Sequence, residues 1–296
     1  MSSGFGFGTA NGNGGTEFLS MLPPPKNDLD GYDNTKPHTQ QSPNIPKIFR
    51  DAMSVREEVY GEQGVPLEAE FDEDDARSWH WVVYASVAST SSSPPKEMRA
   101  EGPTSRAEEA RRASAVGTRL PVGTIRLIPA PHGPNKYKET SEAHIVDKHT
   151  DADPPPGEGA DKAPEQKHPI EPYVKLGRLA VLEPYRKLGL ARMLVTQALE
   201  YAAKHPEAIC QPPSPTTLEF ANLRGHAAQE AVTWQGLVMI HAQSDLKSWW
   251  EKNYGFKEEL VNDKGEVEVE KEPRWVEEGI EHVGMWRRLK IDNGRL

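Results

Sequence analysis

The stretch that decides the fold is residues 175–195, which read KLGRLAVLEPYRKLGLARMLV. Its first part is nearly apolar at its end, which suits a strand that is covered on both faces. Its last part repeats apolar residues at helical spacing. The stretch therefore predicts a buried strand over 173–182, a short turn, and an amphipathic helix over about 188–204.

The turn between strand and helix has the features of an anion site. Gly189 and Ala191 leave the backbone uncovered where the first amides of the helix lack intrahelical partners, and the helix dipole favours a negative charge there. Arg186 and Lys187 add positive charge. The pattern R-x-x-G-x-A is short, and a glycine at a helix start is often only a cap. Its position between a strand and a helix favours a pyrophosphate site.

The flanking segments alternate between helix-like and strand-like sequence patterns. Helical spacing predicts helices over 47–60 and 244–254, the second ended by Gly255. Runs rich in β-branched and aromatic residues predict strands over 79–87, 121–128, 236–242, 256–261 and 281–290. The chain is therefore of the α/β class.

Composition indicates one domain with long additions. The 296 residues include 24 Gly and 26 Pro, and only 36% are hydrophobic, so much of the chain lies outside a packed core. We expect a mostly disordered arm over 1–46, in which only residues 18–22 are candidates for docking, so that deleting 1–40 leaves the fold intact. A single domain over 47–296 follows, with insertions at about 87–120, 129–170 and 206–235.

Charge and cysteine content exclude several classes of protein. A net charge of −10 disfavours direct binding to nucleic acid. Cys210 is the single cysteine, which excludes an intrachain disulfide and favours a reducing compartment, the cytosol or the nucleus. No run of apolar residues is long enough to span a membrane, and the first 25 residues lack Lys and Arg, which argues against a signal peptide. The histidines show no paired spacing, so we expect no metal site.

Four motifs follow one another along the chain: VREEVYGEQGVP at 55–66, the turn at 186–191, HAQSDLKSWWEKNYGF at 241–256, and GIEHVGM at 279–285. In these motifs, and in their order, the chain resembles the GNAT superfamily of acyl-CoA-dependent N-acetyltransferases. The motif at 55–66 is similar to the first helices of the ElaA-like branch. The resemblance implies a mixed, mostly antiparallel sheet with helices on both faces and a V-shaped splay between strands 173–182 and 236–242.

The resemblance also implies the co-substrate and the reaction. Acetyl-CoA would place its pantetheine arm in the V, bonded to backbone groups near Leu179, Ala180 and Val181. A small-molecule or peptide amine would attack the thioester directly, and the backbone amide of Val181 would stabilise the oxyanion. The alternative is a catalytically silent acyl-CoA-binding module. The residues implied at the pyrophosphate are Arg186, Lys187, Leu188, Gly189, Leu190, Ala191 and Arg192.

The acid and the base are less clearly marked. Many family members carry a Tyr four residues before the Gly of a Y-x-x-x-G-F pattern, but position 251 is Glu here. Tyr254 is the candidate acid, with packing under the helix end as the alternative. The candidate bases are Glu62, His241 and His282, with a solvated or structural role as the alternative for each.

An acidic run precedes the first predicted strand of the domain. A solvated loop surface is the expected state of such a run, and electrostatic attraction of a cationic acceptor is the alternative. The run consists of Glu68, Glu70, Asp72, Glu73, Asp74 and Asp75.

Overall fold

The computed structural model describes residues 18–87, 118–132, 171–210, 214–216, 219, 223, 233–262 and 264–291. The helices are α1 (Lys47–Gly61), α2 (Leu190–Lys204), α3 (Pro206–Ile209) and α4 (Lys247–Tyr254). The strands are β1 (Leu19–Leu22), β2 (Trp79–Val87), β3 (Thr118–Ile128), β4 (Val174–Val181), β5 (Leu237–Gln243), β6 (Leu260–Val261), β7 (Val267–Val269), β8 (Trp275–Glu277) and β9 (Ile280–Arg288).

Seven strands form one sheet in the order β1-β2-β3-β4-β5-β9-β8, and β6 and β7 form a separate hairpin. Only the β4–β5 pair of the large sheet is parallel. In the part of the chain that is described, β4 and β5 pair just from Val174↔Val238 to Leu176↔Ile240. Beyond that point the two strands separate, which confirms the predicted V-shaped splay.

Helices α1 and α2 cover opposite faces of this sheet. Ala52 of α1 packs with Val82 and Tyr84 of β2. Tyr201 of α2 packs its ring against Trp81, with 5.6 Å between centroids. Because neighbouring residues of a strand point to opposite faces, the two helices lie on different sides. The predicted fold class is confirmed.

Element boundaries differ from the prediction where local patterns are weak. β3 begins at Thr118 rather than at 121, and α2 begins at Leu190 rather than at 188 because Gly189 caps it in a left-handed conformation. The strand expected over 256–261 is only Leu260–Val261. β7 and β8 were not predicted, since three residues carry no readable periodicity.

Residues 19–22, which were among the candidates for docking, form β1, and the expectation of a disordered arm is wrong for residues 23–46. β1 pairs with β2 from Leu19↔Val83 to Leu22↔His80. Leu29 and Ile45 are buried against Phe49 and Met53 of α1. A few well-spaced apolar side chains thus anchor a segment whose Pro- and Gly-rich composition suggests disorder. Residues 1–17 lie outside the described part.

Deleting residues 1–40 is expected to lower the melting temperature, contrary to the expectation from composition. The deletion removes Leu19 and Leu29, whose burial contributes ~1.5–3 kcal/mol each, so the melting temperature falls by ~6–24 °C. A chain lacking only residues 1–17 keeps β1 and is the control. Equal melting curves for the two chains, followed by circular dichroism, would contradict the docking of β1.

Most of each expected insertion, namely 88–117, 133–170 and nearly all of 211–232, lies outside the described residues. Their edges are folded, since β2 continues to Val87 and α3 occupies 206–209. No helix within the described ranges is both long and apolar enough to cross a membrane. The same ranges contain no group of three or more His, Cys, Asp or Glu side chains arranged to hold a metal ion.

Candidate functional site

The turn that follows β4 presents backbone amides at the start of α2. Lys187 and Gly189 both have positive φ, 65° and 84°, a conformation that only glycine adopts without strain. The amide of Met193 donates to the carbonyl oxygen of Gly189 at 3.0 Å and closes the first helical turn. The amides of the three preceding residues have no intrahelical acceptor, because they begin the helix. This end of α2 can therefore bind an anion.

The side chains of the turn are mostly exposed, and Leu188 is 67% exposed. Arg186 instead folds back. Its Nε donates to the carbonyl oxygen of Val181 at 3.0 Å, and its guanidinium lies 3.5 Å from the carboxylate of Glu62. Arg192 donates to Oδ1 of Asn253 at 2.6 Å. The structure thus brings the predicted turn residues together at one helix end, with Arg186 fixed to the end of the strand.

A β-bulge shapes the edge of β4 that faces the V. Thr124 of β3 lies opposite Ala180, but Arg126 lies opposite Gly177, so Arg178 and Leu179 are both accommodated at one position of β3. Arg178 has a φ of 52°. The hydroxyl of Tyr60 in α1 donates to the carbonyl oxygen of Leu179 at 3.3 Å. The bulge is therefore tied to the end of α1.

The backbone amide of Val181 points into the V. The amide of Leu182 donates to the carbonyl oxygen of Val122 in β3 at 2.9 Å. Because consecutive residues of an antiparallel pair alternate in the direction of their amides, the Val181 amide points away from β3. β5 does not pair with β4 at this level. This amide therefore faces the gap between the strands.

A small cavity of about 50 Å³ lies at the open end of the V, on the side of α1. Gln243 ends β5, and Arg178 immediately precedes the part of β4 that borders the gap. A larger open cavity of about 450 Å³ is lined by residues between 251 and 271. It shares no lining residue with the small cavity. The walls of the small cavity include Tyr60, Glu70, Arg178, Gln243, Glu278 and His282.

The acidic run is buried rather than solvated at four of its six positions, which corrects the expectation from sequence. Only Glu68 and Glu73 are exposed. Arg126 donates to both oxygens of Asp72, at 2.6 and 2.9 Å, and to Asp75 at 2.9 Å. Arginines that are distant in sequence therefore pair with carboxylates that the local sequence pattern places in solvent.

Two of these carboxylates are strongly held in the charged form. Burial alone would raise the pKa of Asp75, but Arg56 and Arg126 beside it hold that pKa far below its ordinary value. Burial likewise opposes ionisation of Asp72, yet Arg126 keeps its pKa low. Arg56 donates to both oxygens of Asp75, at 2.8 and 3.2 Å. This buried ion network fixes the loop between α1 and β2 against the sheet.

Tyr254, the last residue of α4, contacts the start of α2 and does not line the small cavity. Its hydroxyl donates to the carbonyl oxygen of Arg192 at 2.9 Å, and burial raises its pKa. Its ring packs on Trp249 and Trp250, with centroids 5.5 and 5.8 Å away. This placement favours the packing alternative over the role of acid.

The three candidate bases occupy different surroundings. Glu62 is half-exposed and pairs with Arg186. His241 faces Trp275, with 4.7 Å between ring centroids, and does not line the cavity. His282 does line the cavity, but its Nδ1 donates to the carbonyl oxygen of Ile280 at 2.9 Å. The structure therefore brings only His282 of the three to the cavity.

Glu70 lines the cavity, although the sequence indicated it only as one member of an acidic run and not as a candidate base. A signal was present: Arg56 lies on the apolar stripe of α1, and Arg126 lies between Ile125 and Leu127 in β3. An arginine at such a position needs a buried carboxylate partner. The acidic run is the nearest supply of carboxylates, so part of it could have been expected inside.

Comparison with known families matches residues 73–221 to the acetyltransferase (GNAT) family. No curated protein matches the chain. Similar solved structures include an acyl-CoA N-acyltransferase from Pseudomonas aeruginosa, with 16% identity, coverage of 85% of this chain and 95% of that chain, and a TM-score of 0.37. For Escherichia coli ElaA the values are 15%, 85%, 95% and 0.37. For Arabidopsis thaliana NAA60 in complex with acetyl-CoA they are 14%, 92%, 99% and 0.31.

Proposed function

We propose that this chain, which belongs to the acetyltransferase (GNAT) family, transfers an acetyl group from acetyl-CoA to a primary amine by direct attack in a ternary complex. Membership of the family makes the chain an acyl-CoA-dependent N-acyltransferase. The acetyl donor, the amine acceptor and the mechanism are our proposal. One observation carries it: β4 leaves β5 after Leu176 and leads directly to the uncovered amides of α2.

The proposed path of the donor follows β4. The pantetheine arm would lie along the free edge formed by Leu179, Ala180 and Val181, where no strand competes for the backbone groups. The pyrophosphate would accept hydrogen bonds from the amides of residues 187–192, at the positive end of the α2 dipole. The positive φ of Gly189 supports this placement, because it turns the chain into the helix without a side chain over the site.

The proposed chemistry needs no covalent enzyme intermediate. A neutral amine attacks the thioester carbonyl, and the amide of Val181 donates to the developing oxyanion. Its direction away from β3 supports this role. The thiolate of CoA leaves with a proton that the attacking nitrogen loses. Tyr254 then stabilises the start of α2 through the carbonyl of Arg192 and needs no catalytic part.

The acceptor is an amine on a small molecule or a peptide. Glu277 and Glu278 add negative charge to the cavity wall beside Glu70, and this charge supports the attraction of a protonated amine. The net charge of −10 supports an acceptor that is not nucleic acid. The single cysteine supports placement in the cytosol or the nucleus.

Calorimetric titration with acetyl-CoA, followed by thiol release on addition of a panel of amines, tests the proposal. Titrations with CoA and with ADP are the controls for the contributions of the acetyl and pantetheine groups. We expect binding of acetyl-CoA and release of free CoA thiol with at least one amine. Binding without release would favour the silent acyl-CoA-binding module, which the Glu at position 251 also supports. An absence of binding would contradict the placement of the donor.

A further inference from the structure

The small cavity contains a carboxyl group at the margin of the buried ion network, which it meets only through a long ion pair with Arg56 among the described residues. Glu70 is 1% exposed, and its Oε1 has no hydrogen-bond partner among the described residues. Its Oε2 lies 3.5 Å from Nε of Arg56, which is too long for a hydrogen bond. Asp72 and Asp75, by contrast, each accept several hydrogen bonds from arginine. Oε1 of Glu70 is therefore available to accept a hydrogen bond or a proton.

This carboxyl group lies beside the proposed path of the donor. Glu70, Tyr60 and Arg178 line the same cavity. Tyr60 donates to the carbonyl oxygen of Leu179, and Arg178 is the residue next to it in β4. One wall of the cavity is thus continuous with the strand edge at which the thioester would lie. An amine in the cavity would approach that edge from the side of Glu70.

The surroundings of Glu70 raise its affinity for a proton. Burial raises its pKa, and the nearby Arg178 and Arg56 oppose that effect only in part. A carboxylate whose pKa is raised towards neutrality is a better general base than one whose pKa is lowered. Asp72 and Asp75 have lowered pKa values. Glu70 is therefore the better base of the three.

We propose that Glu70 accepts the proton that the acceptor ammonium must lose before its nitrogen attacks the thioester. This inference rests on the proposed function. The proton passes from the ammonium nitrogen to a Glu70 carboxylate oxygen, and the freed lone pair forms the C–N bond. The C–S bond breaks, and the thiolate takes a second proton from the same nitrogen. Glu70 then releases its proton to solvent, so each turnover yields an amide, CoA thiol and one proton.

The test is Glu70→Gln, which keeps the size of the side chain and removes the base. With the amine that shows the fastest thiol release, we expect kcat/KM to fall by ~100–10,000-fold, the usual contribution of a general base. We expect the Kd for acetyl-CoA to stay unchanged. Because the variant depends on amine that is already neutral in solution, its kcat/KM should rise ~10-fold per pH unit towards the pKa of the acceptor.

Several charged groups face Glu70 and enter the interpretation of this pH profile. They are Arg56 and Tyr60 of α1, Arg178 of β4, Asp75 of the following loop, and Glu277, Glu278 and His282 of the β8–β9 region. Burial raises the pKa of Tyr60 to about 12, so Tyr60 does not titrate near neutrality. The wild-type pH profile is therefore compared directly with the profile of Glu70→Gln.

Asp74→Asn is the matched control, because Asp74 is a buried carboxyl of the same loop that pairs with Arg77 and does not line the cavity. This variant should keep the wild-type pH profile. Glu70→Asp keeps the charge beside Arg56, and thus serves if Glu70→Gln does not fold. It should lose part of kcat and retain the wild-type profile.

Three results would overturn the inference. A Glu70→Gln variant with the wild-type kcat and pH profile would exclude proton transfer to Glu70. A rise in KM with unchanged kcat would show that the carboxylate only holds the ammonium. If wild-type protein binds acetyl-CoA but releases no thiol with any amine, the proposed function itself fails, and Glu70 has no reaction to serve. The last result is seen without any variant, so the two failures are distinguishable.

Discussion

Replacing Arg126 by alanine should destabilise the protein by about 3–5 kcal/mol, the usual cost of removing one partner from a buried ion pair. Arg126 is 1% exposed and is the principal partner of Asp72. Without it, Asp72 and Asp75 lose three hydrogen bonds, and two buried carboxylates are left with only Arg178 and Arg56 as arginine partners among the described residues. The loop between α1 and β2 should then detach, and with it one wall of the cavity.

Urea unfolding followed by fluorescence measures this loss. Arg274→Ala is the control, because Arg274 also pairs with a carboxylate, Glu281 at 2.7 Å, but both side chains are about half-exposed. An exposed pair of this kind contributes ~0.2–1 kcal/mol. Equal effects of the two substitutions would contradict the structural importance of the buried network.

Gly189→Glu should weaken CoA binding by at least ~100-fold. A carboxylate about 4 Å from a pyrophosphate near a protein surface experiences ~4 kcal/mol of repulsion per unit charge. The added Cβ meets no atom within 4 Å, so no steric clash arises. The φ of 84° costs a side chain ~1 kcal/mol, which the attraction between the new carboxylate and the positive end of α2 partly offsets. The variant should therefore fold.

Gly189→Gln separates charge from strain, because it has the same φ penalty and nearly the same volume. Calorimetric titration with CoA should give a much smaller loss of affinity for Gln than for Glu. If both variants bind CoA equally well, the pyrophosphate does not lie at this turn, whatever their absolute affinities are.

The fold was predictable because its decisive stretch is local. Residues 175–195 contain a strand, a turn and a helix in direct succession, and each has its own periodicity. The order of residues 23–46 was not predictable in the same way. It depends on Leu29 and Ile45, two isolated side chains in a segment whose average composition indicates disorder.

In the candidate site, too, the locally encoded part was predictable and the part that depends on distant residues was not. The turn at Gly189 is encoded within six residues, and its conformation follows from a glycine at a helix start. The environment of Glu70 depends instead on partners far away in sequence: Asp72 meets Arg126 across 54 residues and Arg178 across 106. No local pattern assigns such pairs, although an arginine in an apolar stripe indicates that a buried carboxylate exists.

Hydrogen–deuterium exchange of the wild-type protein, with and without acetyl-CoA, tests where the donor binds. We expect slower exchange at the amides of residues 187–192 and at Val181, which are the groups assigned to the pyrophosphate and the oxyanion. The exchange rates of residues 251–271, which line the larger cavity, should not change. Protection confined to that region, or no protection at the start of α2, would contradict the placement of acetyl-CoA in the V between β4 and β5.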